Sequence, residues 1–456
     1  MLLRRWTFLV LMILAVLSSW GYFFPQPPKV QLRQEPQLAS GSATLVIAPH
    51  EDDESLAAAG LIQETLAKGG RVQVVLVTNG DAFRVAAERW FGRLTLSHQD
   101  MINFGKARQQ ETLKAMDALG VPRADVTFLG YPDQGTAAMW LDYWDTPFIS
   151  TYTGASVSPY SSPGRPYTGV NLLADLKDVI RRVRPTTIVY PHPNDAHVDH
   201  WGVHNFTEAA LEDLRRTEPG WNPPAELLYI VHRGDWPAPK GMLPGKPLVP
   251  PAPLVGGMTT WEEQPLSGLE ILHKEQAIRA YETQVGIMRR YMMSFVRTNE
   301  LYGTVPRVIV PKSQTRVPTW VQVATDPAGD TFSQDLDPTA DVVSVDAARD
   351  EEMVYLRLHL RGRATARNSY VVMVHGYHKE TGWGPLLRAV WHPPGKPDAV
   401  LPPGAPPVRA YPATNAAEFA IPLKTLGYPD ALMVGFETRF SGVQVDQTSW
   451  RLVNLN

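Results

Sequence analysis

From residue 43 to about residue 310, runs of β-branched apolar residues alternate with stretches of helical periodicity. A chain patterned this way pairs its strands in parallel across helical connections, which makes an α/β layer structure. ATLVIAP reads as a strand, SLAAAGLIQETLAKGG as a helix stopped by Gly69 and Gly70, and RVQVVLVT as a second strand, together one βαβ unit. KARQQETLKAMDALG predicts a helix ending at Gly120, DVTFLG a strand, VNLLADLKDVIRRVRP another helix, and TTIVYPH and ELLYIVH two more strands. Residues 269–302 return to helical spacing. Two segments are longer than ordinary connections: Tyr131 to Tyr167, rich in Tyr, Ser, Gly and Pro, and 235–266, dense in Pro and Gly. Loops of that length are expected to border a site.

After about residue 315 the texture changes to short alternating strands such as EMVYLRLHL and SYVVMVHGY between Pro, Gly and Asp turns. This predicts an all-β sandwich. A second domain is expected on size alone, since the 456 residues exceed the roughly 250–300 at which a single core stops growing. At the N-terminus, Arg4 and Arg5 precede WTFLVLMILAVLSSWGYFF, 19 uncharged residues that span about 28 Å as a helix, close to one bilayer core. The positive flank places the following chain outside the cytoplasm. No A-x-A-like site follows, so an uncleaved anchor is preferred to a cleaved signal peptide, which would leave a secreted protein. The expected organisation is a membrane anchor over 1–24, a tether over 25–42, an α/β domain over 43–314 and a β-sandwich over 315–456. A formal net charge of −3 with scattered Lys and Arg excludes a nucleic-acid partner.

Chemistry concentrates at two strand ends. The first strand stops at Pro49, and His50, Glu51, Asp52, Asp53 and Glu54 follow before the helix. TTIVYPH runs into His192, Asp195, His197, Asp199 and His200. Ligands of open α/β sheets bind beyond the carboxyl ends of the strands, so the two clusters can converge. The chain has no cysteine, so a bound metal must be held by His and carboxylates. Two His and one Asp would complete a catalytic zinc site with one position left for water, and a neighbouring carboxylate could then take the water's proton.

APHEDDE followed by PHPNDAHVDH resembles the PIG-L/LmbE family of zinc-dependent de-N-acetylases, which remove acetyl groups from N-acetylglucosamine units. Similarity extends through LVTNGDA, RQQETLKAMDALGV, VTFLGYPDQG and KEQAIRAYETQ, over roughly residues 43 to 310. The family's first motif is usually A-H-P-D-D-E; here Pro49 precedes the histidine and Glu51 follows it, which keeps every functional group. The resemblance implies a Rossmann-like, mostly parallel sheet with flanking helices. It also implies His50, Asp53 and His200 as zinc ligands, Asp52 as general base and His197 as oxyanion stabiliser and general acid. Asp199 is implied as an orienting partner, and Arg108 and Asp133 as residues near the sugar.

Other residues have competing readings. Glu51 and Glu54 are either solvated surface or functional, with Glu54 also a candidate cap of the helix start. His192 is expected to orient a neighbour, and Asp195 to hold its loop or touch substrate. His204 and His232 read as surface or core histidines rather than ligands. The aromatic residues of the Tyr131–Tyr167 loop either stack on sugar rings or pack the loop. In the sandwich, which resembles carbohydrate-binding-module-like or DOMON-like domains, Asp326, Asp330 and Asp341 are candidate Ca2+ ligands. Trp383 and Trp391 there are either a glycan platform or core. The combined expectation is a membrane-anchored, extracytoplasmic, zinc-dependent deacetylase of N-acetylated amino sugars or glycans. The rivals are a hydrolase of another amide or ester and a non-catalytic glycan-binding surface protein; Asp52 and His197 beside a full ligand set argue against the latter.

Overall fold

The computed structural model describes residues 32–34, 38–161, 164–234, 236–314, 318–329 and 337–455. The expected membrane anchor lies outside them, and among the described residues no helix is long and apolar enough to cross a membrane.

The first domain is built on a sheet of β1 (Arg33–Gln34), β2 (Ala43–Ala48), β3 (Arg71–Thr78), β4 (Val126–Tyr131), β5 (Thr187–Pro191), β6 (Ala225–Tyr229), β7 (Thr260–Pro265) and β8 (Asn299–Thr304), in the order β1-β7-β8-β6-β5-β2-β3-β4. Strands β6, β5, β2, β3 and β4 run parallel, and β8 joins antiparallel to β6 and β7. Every residue of β2 is buried, as a central parallel strand covered on both faces requires. Its side chains alternate between two cores: Val46 and Ala48 meet helices α1 (Asp53–Ala67) and α3 (His98–Leu119), whereas Leu45 and Ile47 face α5 (Gly169–Val183) and α6 (Val198–Thr217). Helix α2 (Arg84–Phe91) lies between α1 and α3 in sequence, and α4 (Thr136–Leu141) starts the long Tyr131–Tyr167 segment. From β2 the chain adds β3 and β4 on one side, then returns to place β5 and β6 on the other. The sheet therefore reverses its build direction between β2 and β5, the crevice where such folds bind ligands.

Residues 269–302 are not one helix. Helices α7 (Gly268–Arg279) and α8 (Glu282–Met292) are followed by strand β8, drawn from helical spacing into the sheet by pairing along β7. Its buried Glu300 accepts from the Gly60 and Leu61 amides and from Lys274, which anchors the strand under α1. The tether is also not wholly separate, because β1 pairs with β7 at Arg33↔Glu262.

The second domain comprises β9 (Val308–Ile309), β10 (Val321–Thr325), β11 (Val342–Arg349), β12 (Met353–Leu360), β13 (Asn368–His378), β14 (Gly382–Trp391), β15 (Asp398–Ala399), β16 (Arg409–Ala413), β17 (Ala416–Pro422), β18 (Ala431–Phe440), β19 (Val443–Gln447) and β20 (Arg451–Asn454). They form one sheet ordered β10-β11-β12-β17-β16 and another ordered β15-β14-β13-β18-β20-β9 with β19 on β18. Because β9 pairs with β20, the sandwich sheet already begins at Val308, ahead of the expected boundary at 315.

The second sheet does not face solvent where it meets the first domain. Val371, Met373, Tyr377, Trp383, Met433 and Trp450 share one apolar cluster with Trp140 and Trp144 and with Phe206 of α6. Trp383 is 6% exposed and donates its indole N–H to Ala209 O at 3.0 Å, and Trp391 is 1% exposed inside the sandwich. Both are core residues rather than a sugar platform. Trp383→Ala should lose about 3–5 kcal/mol of stability, read in denaturant melts, and remove the indole bond to the Ala209 carbonyl. Asp341 is engaged by the Gly329 amide and Arg361, and the described groups that could hold a metal all lie in the first domain; Asp330 falls outside the described residues.

Candidate metal and hydrolytic site

Two helix starts meet at the crevice. Asp52 is the residue before α1 and His197 the residue before α6, so both polypeptide turns deliver their motifs at helix N-termini, where the helix dipole favours negative charge. Asp53 Oδ2 lies 3.5 Å from His50 Nδ1 and 3.1 Å from His200 Nε2. It also accepts the His50 backbone N–H at 2.9 Å. Asp53 Oδ1 is buried with no hydrogen-bond partner, and the buried His200 ring meets carboxylate oxygens at both nitrogens. An unpartnered buried carboxylate oxygen beside two imidazoles is a donor set that fits a divalent metal such as zinc.

Each imidazole has a carboxylate behind it. His50 Nε2 is 3.2 Å from Asp199 Oδ2 and 3.3 Å from Asp133 Oδ1, and His200 Nδ1 is 3.2 Å from Asp195 Oδ2. Such partners fix ring orientation and ligand basicity. Asp199 is held in turn by the Gln134 and Thr136 amides and the Thr136 hydroxyl. Asp195 is held by the amides of His197, Val231 and His232. His197 Nδ1 accepts from the Asp199 amide at 3.2 Å, so the neutral ring carries its proton on Nε2 and can donate from there.

Two expected residues lie back from the donor group. His192 is fully buried, stacks on Trp261 at 5.4 Å and pairs with Thr259 and the Asn194 amide, apart from the donor group. Arg108 is 3% exposed and donates to Gly80 O and Glu51 O at 3.0 and 2.7 Å, so it buttresses the turn from beneath. Gly80 permits this approach: at φ +53° a Cβ there would lie 1.8 Å from the guanidinium. Glu51 and Glu54 are not solvated; both are wholly buried, Glu51 by Arg108 and Glu54 under the Tyr281 hydroxyl. Nor does a side chain cap α1. In the long loop Tyr131, Trp140, Trp144 and Tyr167 are core. His204 is core as well, stacked on Tyr190 and bonded to Pro191 O.

His232 does not match its reading as a surface or core histidine. It follows β6 and lies with His50, Asp53 and His200 in a group whose ligand atoms all fall within 4.8 Å of one another. Its signal was legible: ELLYIVH puts a histidine just beyond a parallel strand, as ATLVIAPH does.

Burial opposes charge throughout, and the neighbours decide the outcome. It pushes the Asp52 carboxyl well up, helped by the Asp53 charge and opposed by Arg108. For Asp53, burial is outweighed by His200 and His50, which hold it well below the usual range. Burial and the charge of His50 lower His197 to about 4, and burial and His200 lower His232 to about 3. Beside the site, burial raises Asp81 to about 7, against the Tyr160 hydrogen bond and with the Asp133 charge. A carboxyl protonated in the folded chain but ionised when unfolded stabilises fully below pH ~4. That contribution is lost as pH rises to about 7, at up to about 1.4 kcal/mol per unit. Asp81→Asn should therefore match the parent protein near pH 4 and exceed it in stability at pH 8; equal pH dependence in urea melts would contradict this.

Residues 45–211 match the model of the GlcNAc-PI de-N-acetylase family, PIG-L. These residues are a PIG-L domain. It contains His50, Asp52, Asp53, His197 and His200, while His232 lies beyond the matched segment. The chain is 31% identical over 192 residues to a 1D-myo-inositol 2-acetamido-2-deoxy-alpha-D-glucopyranoside deacetylase of Nocardia farcinica, covering 41% of this chain and 56% of that protein. It is 28% identical over 230 residues to the protein of the same name from Kribbella flavida, covering 45% and 72%. The chain thus spans little more than half of the Nocardia relative's length. Among solved structures it is similar to the A40926 pseudoaglycone deacetylase Dbv21, at 17% identity and a TM-score of 0.39 over 59% of this chain and 98% of that one. The N,N'-diacetylchitobiose deacetylase from Pyrococcus horikoshii gives 17% identity and 0.36 over 58% and 84%.

Proposed function

We propose that the PIG-L domain is a zinc-dependent hydrolase that removes the N-acetyl group from an N-acetylglucosamine-type sugar or glycan. The observation that carries the reading is the meeting of His50, Asp53 and His200, with Asp53 Oδ1 buried and unpartnered, beside Asp52 and His197. Both curated relatives described above bear deacetylase names with an acetamido-glucopyranoside substrate. Zinc held by His50, Asp53 and His200 would supply Lewis acidity, which polarises a carbonyl and acidifies water. Asp52, raised in pKa yet restrained by Arg108, takes the proton from the attacking water. His197 donates a hydrogen bond from Nε2 to the developing oxyanion, and the proton taken up by Asp52 passes to the departing amine, completing hydrolysis to acetate and a free amino sugar. The long Tyr131–Tyr167 loop reaches this crevice through Tyr160, whose hydroxyl donates to Asp81 at 2.7 Å, and the closeness of Asp133 to His50, 3.3 Å, supports a role for it near the sugar. The amino-terminal pattern of Arg4, Arg5 and the apolar run supports an anchored domain acting outside the cytoplasm on an exported or surface saccharide.

The test is acetate release from a panel of N-acetylated mono- and oligosaccharides by zinc-loaded protein. Release that disappears with chelator and returns with zinc is expected; silence across the panel with a stoichiometric metal bound would count against the deacetylase reading.

A further inference from the structure

The family-matched segment ends at residue 211, yet the site is closed by a residue outside it. We propose that His232 is a fourth protein donor to the metal, delivered by the carboxyl end of β6 in addition to those of β2 and β5. The inference rests on the metal-dependent reading above.

Four observations support it. His50, Asp53, His200 and His232 each offer one ligand atom, and all four atoms lie within 4.8 Å of one another. Asp53 Oδ1, buried and without a hydrogen-bond partner, has His232 Nε2 at 4.0 Å. The His232 ring lies 4.7 Å from His200 and 5.0 Å from His197 between centroids, so it stands beside both a proposed ligand and the proposed oxyanion donor. Finally, the residue is held in place: its amide donates to Asp195 Oδ2 at 3.0 Å, its carbonyl accepts from Ala196 at 2.7 Å, and its ring stacks on Tyr291. Tyr291 donates its hydroxyl to Val231 O next door. Asp195 thus orients two donors at once, His200 through its ring and His232 through its backbone.

The side chain of His232 is 30% exposed, against 7% for His50 and none for Asp53 and His200. It therefore closes the site on the solvent side. A catalytic zinc normally takes three protein donors and one water. His232 would be a third imidazole and a fourth protein donor at the rim, so an incoming carbonyl would have to compete with it for the ion. The sequence distance is part of the device, since His232 follows His200 by a whole helix and strand. Its placement depends on how β6 docks against β5, where Pro191 registers with Tyr229.

The experiment compares the full chain with His232→Ala and His232→Gln, each loaded with Zn2+ and separately with Co2+. Metal affinity is read by chelator competition and donor number by the visible absorption of the cobalt form, with circular dichroism of each apo form to confirm folding. Loss of a donor should weaken affinity at least about 10-fold and change the cobalt bands in both variants. Affinity and spectrum equal to the parent's in a folded variant would overturn the proposal and leave His232 facing substrate instead. A parent protein that binds no ion at all would sink the metal-dependent reading itself, which separates the two failures.

Discussion

Asp52→Asn should leave the protein folded and its metal content unchanged while lowering kcat about 100- to 10,000-fold, the range a positioned base contributes. Asparagine keeps the size and shape of the side chain and removes only its ability to take a proton. The backbone offers a further reason to choose it. Asp52 sits at φ 129°, a conformation that residues with a Cβ rarely adopt, and strain of that kind costs about 1–3 kcal/mol. Asn inherits the same strain, so a loss of activity cannot be blamed on relieved or added backbone stress. That strain persists because the turn is held from several sides: Arg108 grips Glu51 O, the Ser55 and Leu56 amides bond to Asp52 O, and Thr78 donates to Pro49 O. Full turnover by the Asn variant, measured as acetate release, would move the base to another residue.

Asp53→Asn is expected to remove the metal. Asp53 is the negative charge shared by His50 and His200, and those two imidazoles approach the same oxygen. Converting it to an amide deletes an anionic donor and turns an acceptor edge towards rings that need one. Metal affinity should fall by more than the about 10- to 100-fold attached to outer partners of a site, and turnover should fall with it. Elemental analysis after gel filtration distinguishes this from Asp52→Asn, which keeps the ion. Retention of one ion per chain by Asp53→Asn would mean that the donor set is drawn wrongly. The same pair of variants separates the proposed roles of the two adjacent acids of the motif, base for Asp52 and ligand for Asp53.

How much of this was readable before folding differs from residue to residue. The strands β2, β3, β5 and β6 announce themselves by continuous apolar runs, because a parallel strand buried on both faces has no polar side to display. The helices with clear stops, such as α3 before Gly120, follow from local capping chemistry. Strand β8 was hidden in a helical-looking stretch, since its six residues gain their conformation from β7 and from the burial of Glu300 and Tyr302, not from their own spacing. Glu51 and Glu54 looked like surface because acids usually are. Their burial depends on Arg108 and Tyr281, which lie 57 and 227 residues away. Trp383 and Trp391 could not be assigned from composition, as an aromatic residue at an alternating position serves a core or a binding face equally well.

The sequence by itself determined that two His/Asp clusters stand at the ends of two parallel strands and at the starts of two helices. That information is local: apolar period, Pro49 and the turn residues specify where each strand stops and each helix begins. Only the tertiary structure decided that β5 lies beside β2, that Asp195 and Asp199 stand behind different histidines, and that His232 completes the group from a third strand. It also decided that the sandwich packs its Trp383 against α6 instead of presenting it to a glycan. These are contacts between residues far apart in the chain, set by which surfaces bury the most apolar area together, and no local pattern encodes that choice.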